Sequence, residues 1–166
     1  MHTVVVVMGV SGSGKTTVAA LIAERLGVPL AEADEFHPPA NIAKMSAGTP
    51  LTDDDRWPWL DAITAWMAER GHQGGGVVTC SALKRTYRDL LRQATDDVWF
   101  VHLDGPREVL ADRMSHRSGH FMPTSLLDSQ LADLEPLTDD ERGVRLDIRS
   151  APDELAGAAL AAEERS

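Results

Sequence analysis

Residues 9–16 read Gly9-Val10-Ser11-Gly12-Ser13-Gly14-Lys15-Thr16, which satisfies G-x-x-x-x-G-K-[ST] at every fixed position. Each residue type in that pattern has a task. The glycines let the main chain turn tightly and aim N–H groups at phosphate oxygens. A helix starting at the end of the loop adds the positive pole of its dipole. Lys15 is placed to neutralise β- and γ-phosphate charge, and the Thr16 hydroxyl to ligate Mg²⁺. Gly9 to Thr17 is therefore the candidate binding segment for a nucleoside triphosphate. The alternative is a glycine-rich turn with a chance lysine, and the flanking elements decide against it.

Those elements follow from hydrophobic patterning. Five runs read as strands: Thr3 to Met8, Val28 to Ala33, Val77 to Cys80, Val98 to Leu103 and Val144 to Ile148. They are continuously apolar or β-branched and do not alternate, as expected of parallel strands covered on both faces. Helical patterns fill the gaps: Thr16 to Leu26, closed by Gly27; Pro39 to Ala47, ended by Gly48; and Pro58 to Arg70. In the next helix Leu83, Tyr87, Leu90 and Leu91 share one face, leaving Lys84, Arg88 and Arg92 on the adjoining one. Pro106, Ser125 and Pro152 each open a further helix. Alternating strands and helices predict an α/β fold, a five-stranded parallel sheet flanked by helices, with right-handed crossovers. Ligands of such sheets sit beyond the carboxyl ends of the strands. The loop at residues 9–16 falls at such an end.

The chain has 166 residues, fitting one domain over residues 1–166, and contains neither repeats nor a linker. Its 26 acidic and 16 basic residues give a formal charge of −10, which argues against nucleic-acid binding because phosphate contacts require many cations. The apolar run at the N-terminus stops at Gly9, too short for a signal peptide or a membrane span, so no membrane partner is expected. Cys80 is the only cysteine, excluding an internal disulfide and fitting a cytoplasmic location. It reads as buried packing in preference to a nucleophile. Strands ending in single acids, Asp34, Asp104 and Asp147, favour a small-molecule kinase over an NTP-driven machine.

Asp34 ends the second strand, beside the phosphate loop. A carboxylate there can orient an attacking hydroxyl and take its proton late, because the loose transition state of phosphoryl transfer rewards positioning above base strength. A helix or turn cap is the other reading of Asp34. His37 is a candidate substrate contact or a neutral histidine pinned beside prolines. Arg56, Lys84 and Arg88 are candidate cations for an anionic acceptor, since a guanidinium holds a carboxylate in bidentate geometry. Arg56 has an ion pair within Asp53 to Asp55 as its alternative, and Lys84 and Arg88 a solvated helix face. Arg85 and Arg92 read as surface charges. The run Asp53-Asp54-Asp55 reads as a capped acidic helix start, with Mg²⁺ contact as the alternative. Ser81 is open to ligand or backbone. Between the fourth and fifth strands, Arg113 and Arg117 are an i, i+4 pair able to reach the phosphates, with pairing to Glu108 or Asp112 as the alternative. His116 and His120 lack a third metal ligand at suitable spacing, so His120 reads as a lid or substrate contact.

Several blocks resemble the gluconate kinase (gluconokinase) family. They are the phosphate loop; Asp34…Phe36-His37-Pro38…Asn41…Lys44-Met45…Gly48…Pro50-Leu51…Asp53-Asp54-Asp55-Arg56…Pro58-Trp59-Leu60; Cys80-Ser81-Ala82-Leu83-Lys84…Tyr87-Arg88-Asp89-Leu90-Leu91-Arg92; and Gly119-His120-Phe121. Together they span residues from about 4 to about 137, and the last thirty or so match only loosely. The resemblance implies a P-loop kinase fold of the shikimate-kinase and nucleoside-monophosphate-kinase type, with a lid at about residues 113–124. It implies transfer of the ATP γ-phosphoryl group to the 6-hydroxyl of D-gluconate, with Mg²⁺, in a homodimer. Glu32 and Ala33 depart from the family, which often has an aspartate and a glycine there. Competing readings are a kinase of another hydroxy acid such as shikimate, a non-catalytic ATP-dependent switch, and a nucleic-acid-stimulated ATPase.

Overall fold

The computed structural model describes residues 2–115 and 124–166. Strand β1 (Val4–Met8) leads into the phosphate loop and helix α1 (Lys15–Leu26), then β2 (Leu30–Glu32), a short 3-10 turn (Ala33–Phe36), α2 (Pro39–Ser46) and α3 (Asp53–His72). There follow β3 (Gly76–Thr79), α4 (Arg85–Leu91), β4 (Val98–Asp104), α5 (Arg107–Ser115), α6 (Thr124–Asp133), β5 (Gly143–Asp147) and α7 (Pro152–Glu164). The five strands form one sheet in the order β2-β3-β1-β4-β5, and every pairing is parallel.

Burial explains why the strands do not alternate in polarity. Along β1, Val5 and Val7 face a core shared with Val18 and Ile22 of α1, Leu110 of α5, Leu127 of α6 and Leu155 of α7. Val4, Val6 and Met8 face a second core with Leu60, Ile63 and Met67 of α3 and Tyr87 and Leu91 of α4. Both faces of the strand are dry, so both must be apolar. The chain runs from β1 outward on one side to β2 and β3, then crosses back over β1 to β4 and β5. The crevice this reversal opens lies at the carboxyl end of β1.

Helix α4 starts at Arg85, so Leu83 and Lys84 precede it, and two further boundaries differ from expectation for local reasons. Helix α3 starts at Asp53, ahead of Pro58, because Thr52 caps it. The Thr52 hydroxyl accepts from the Asp55 N–H at 3.2 Å and the Asp55 carboxylate accepts from the Thr52 N–H at 2.9 Å. Pro58 stands within the helix on its exposed side, and is not its opening residue. Strand β2 is only three residues long; the chain leaves it at Ala33 into the 3-10 turn, and Asp34 lies in that turn.

Candidate active site

The phosphate loop is wedged between β4 and α5, which fixes two of its glycines. Gly9 has φ +147°, and a Cβ there would stand 2.7 Å from the Leu103 carbonyl oxygen. Gly12 has φ +84°, and its Cβ would stand 2.8 Å from the Leu110 carbonyl oxygen. The Lys15 ammonium donates to the carbonyl oxygens of Gly9 (2.9 Å) and Val10 (3.1 Å), which holds it over the loop. Two cavities open on either side. The larger, about 610 Å³, is lined by Ser11, Lys15, Thr16, Glu32, Asp34, His37 and Arg56 among others. The smaller, about 190 Å³, is lined by Gly12, Gly14, Lys15, Thr16, Thr17 and Arg113. Lys15 and Thr16 line both.

Asp34 is exposed to the larger cavity on a turn anchored at two points. The Trp59 indole N–H donates to the Ala33 carbonyl oxygen at 2.7 Å, and the Ala33 N–H donates to Thr79 Oγ1 at 3.4 Å. His37 stacks on Trp59, with centroids 4.2 Å apart and planes at 10°. Asn41 Nδ2 donates to the Asp55 carbonyl oxygen at 2.9 Å, which fixes the orientation of its amide. The same nitrogen lies 3.2 Å from His37 Nδ1, so Nδ1 accepts and Nε2 carries the proton. Burial lowers the His37 pKa against the raising effect of Asp34, and Arg56 lowers it further, so the ring is neutral at pH 7.

Arg56 enters the larger cavity from α3. Its Nη1 donates to Tyr87 Oη at 2.8 Å and lies 3.6 Å from Asp133 Oδ2. It does not take its ion pair from the adjacent acids. Asp53 accepts from Tyr87 Oη and, at 3.1 Å, from Lys84 Nζ, while Asp55 accepts from Lys44 Nζ at 2.7 Å. The acidic run is thus the capped helix start, and hydrogen bonds from Lys44 and Thr52 hold the Asp55 carboxyl at about 2. Lys84 stands with Asp53 on the rim, outside the larger cavity.

Arg88 is corrected by the structure. It has no exposed side-chain surface, and its guanidinium is consumed by the buried Glu141 (Nε–Oε2 2.7 Å, Nη2–Oε1 2.9 Å) and by the Ala82 carbonyl oxygen (2.9 Å). It is neither a substrate cation nor part of a solvated face. It fixes the loop after β3, where Ala82 has φ +47° and Ser81 and Leu83 line the cavity. Arg113 flanks the phosphate loop in the smaller cavity and donates to the Ile148 carbonyl oxygen, in place of Glu108 or Asp112. Arg117 and His120, with most of the expected lid, lie outside the described residues. Cys80 is buried, and burial pushes its thiol up to about 12, as packing requires.

Sequence reasoning missed two residues of the site and left Glu32 in doubt. Glu32 ends β2 beside Thr79 of β3; its carboxylate accepts from Thr79 Oγ1 at 2.6 Å and from Thr16 Oγ1 at 3.3 Å. The only signal was an acid closing a buried strand at its carboxyl edge. Gln130 of α6 reaches Ser11 and lines the larger cavity with Ser129 of the same helix; nothing local marked either.

This arrangement can be set beside known proteins. The sequence profile of the family described as Shikimate kinase matches residues 11–143. A gluconokinase of Gluconobacter oxydans is 55% identical over 149 residues, covering 89% of this chain and 84% of that one. The chain is a member of the shikimate kinase family and, within it, belongs with the gluconokinases. Two solved structures agree. A gluconokinase from Sinorhizobium meliloti has a TM-score of 0.91 at 52% identity, covering 98% of this chain and 92% of that one. An unliganded sugar kinase from Janibacter has a TM-score of 0.94 at 56% identity, covering 99% and 95%. The gluconokinase fold thus extends over the last thirty residues, where the sequence blocks matched only loosely. Among the described residues no helix is long and apolar enough to cross a membrane.

Proposed function

We infer that the protein is an ATP-dependent gluconate kinase, converting D-gluconate and ATP to 6-phosphogluconate and ADP. The observation that carries this reading is the meeting of two cavities at Lys15 and Thr16, with Asp34 and Arg56 on one side and Arg113 on the other. The nucleotide tail lies along the loop, with Lys15 and Arg113 as cations for its phosphates. Among the described residues of the larger cavity, Lys15 and Arg56 are the permanent cations, and the first belongs to the phosphates. Arg56 therefore takes the gluconate carboxylate.

The chemistry follows. Asp34 accepts a hydrogen bond from the 6-hydroxyl and aligns its oxygen with the γ-phosphorus. The new O–P bond forms as the bond to the β–γ bridging oxygen breaks, ADP carries away that electron pair, and the hydroxyl proton passes to Asp34 late in the step. Lys15 neutralises charge on the oxygens of the moving group. Neutral His37, with its Nε2–H, donates to an acceptor hydroxyl. Thr16 and Glu32 present two adjacent oxygen donors suited to Mg²⁺, which when bound offsets phosphate charge.

Release of ADP in a coupled assay, measured over a panel of sugar acids and shikimate, tests the reading. Turnover with gluconate is expected, and turnover with another acid but not gluconate overturns it. Arg56→Ala raises the gluconate KM on the order of tenfold or more, the loss of a charge-assisted hydrogen bond, with ATP affinity spared. An unchanged gluconate KM removes Arg56 from the acceptor site.

A further inference from the structure

Gln130 takes no part in the transfer step, yet its side chain holds the tip of the phosphate loop. Its Oε1 accepts the Ser11 N–H at 2.8 Å and its Nε2 lies 3.3 Å from Ser11 Oγ. Ser11 lines the larger cavity and not the smaller one, so this grip falls on the side from which the acceptor approaches. Three residues further along α6, Asp133 lies 3.6 Å from Arg56. Residues three apart share a helix face. One face of α6 therefore touches both the phosphate loop and the arginine assigned to the acceptor, and Ser129, on the same helix, lines the cavity between them.

We propose that Gln130 is a positioning residue that makes α6 a link between the acceptor arginine and the phosphate loop. A carboxylate arriving at Arg56 competes with Asp133 for the same guanidinium and changes how α6 sits. Gln130 transmits that change to the Ser11 N–H, which borders the path of the transferred group. Linkage requires the reverse effect to be equal, so nucleotide on the loop alters acceptor affinity by the same factor. The inference rests on Arg56 as the acceptor cation, but not on Gln130 touching either ligand.

Calorimetry on the full chain with Mg²⁺ tests it. The dissociation constant of a non-hydrolysable ATP analogue is measured with and without saturating gluconate, for the wild type, Gln130→Ala and Gln130→Met. Methionine keeps the length and packing of the side chain while removing both bonds to Ser11, so it guards against a folding failure. The wild-type ratio is expected on the order of fivefold, falling below about twofold in both variants. A merely structural effect that weakens either ligand uniformly cancels in this ratio, so only loss of the link between the two sites lowers it. A wild-type ratio of one, or a ratio retained in Gln130→Met, overturns the proposal. Unchanged gluconate affinity in Arg56→Ala refutes the acceptor assignment instead, and is read separately from the Gln130 ratio.

Discussion

Replacing Arg88 by methionine separates two roles that a sequence assigns equally well to an arginine. Arg88 and Glu141 both have no exposed side-chain surface, and they meet through two parallel hydrogen bonds of 2.7 and 2.9 Å. Burial alone would raise the Glu141 pKa, but hydrogen bonds from Arg88 and the Thr138 N–H outweigh it and hold the carboxyl at about 2. Removing Arg88 strands a buried carboxylate, a change that costs about 3–5 kcal/mol. Arg92 also reaches Glu141, and Thr138 keeps donating to it, so the loss falls at the lower end, about 3 kcal/mol. In a domain of this size that lowers the melting temperature by about 6–12 °C. The assay is thermal unfolding of Arg88→Met, paired with the gluconate KM measured well below the transition. A large fall in melting temperature with a KM raised less than about threefold is expected. Adding Glu141→Leu to Arg88→Met removes the stranded charge and recovers part of the loss. A wild-type melting temperature with a tenfold higher KM would refute the reasoning and return Arg88 to the substrate site.

Asp34→Asn lowers kcat on the order of a hundredfold while the ATP dissociation constant, read by calorimetry, stays near the wild-type value; equal loss of ATP affinity would place Asp34 on the nucleotide. Gly12→Ala sets a methyl 2.8 Å from the Leu110 carbonyl oxygen at φ +84°, so nucleotide affinity falls even though every charged group of the site remains; unaltered binding would show that the loop yields freely. His102 is fully buried, and burial lowers its pKa to about 4 from 6.5. Below pH 6.5 the unfolded chain gains a proton that the folded one refuses, so stability falls progressively as pH drops towards 4. Between pH 7 and 4.5 this amounts to about 2 kcal/mol in urea unfolding, and His102→Asn should lose that slope; a slope unchanged by the substitution would refute it.

The fold and the phosphate loop were legible because both are written in local pattern. Val4 to Met8 is apolar at every position because each face of β1 meets its own core. Gly9 and Gly12 are glycine because backbone oxygens stand within 3 Å of where a Cβ would be. Asp34, His37 and Arg56 were legible for a related reason: all three lie between β2 and the first turns of α3, so a short span of chain brings them to one wall of the cavity.

Arg88 and Gln130 were misread or missed because their roles are set across long spans of chain. On α4, Arg88 is followed by the exposed Asp89, and nothing near it foretells that Glu141, 53 positions away, closes over it. Gln130 meets Ser11 across 119 positions. Helical spacing told which way Arg88 faces relative to Leu91, but not what covers that side. A cation on a helix entering the crevice can serve the ligand or the wall, and its partner decides. Arg56 meets a buried phenol at 2.8 Å and, at 3.6 Å, a carboxylate about a third exposed, and it lines a cavity with room for an acceptor. Arg88 meets a carboxylate and a carbonyl in a dry interior, with its donors engaged. Charge of the same sign on neighbouring elements thus divides between binding and scaffold according to whether the counter-charge is itself open to water.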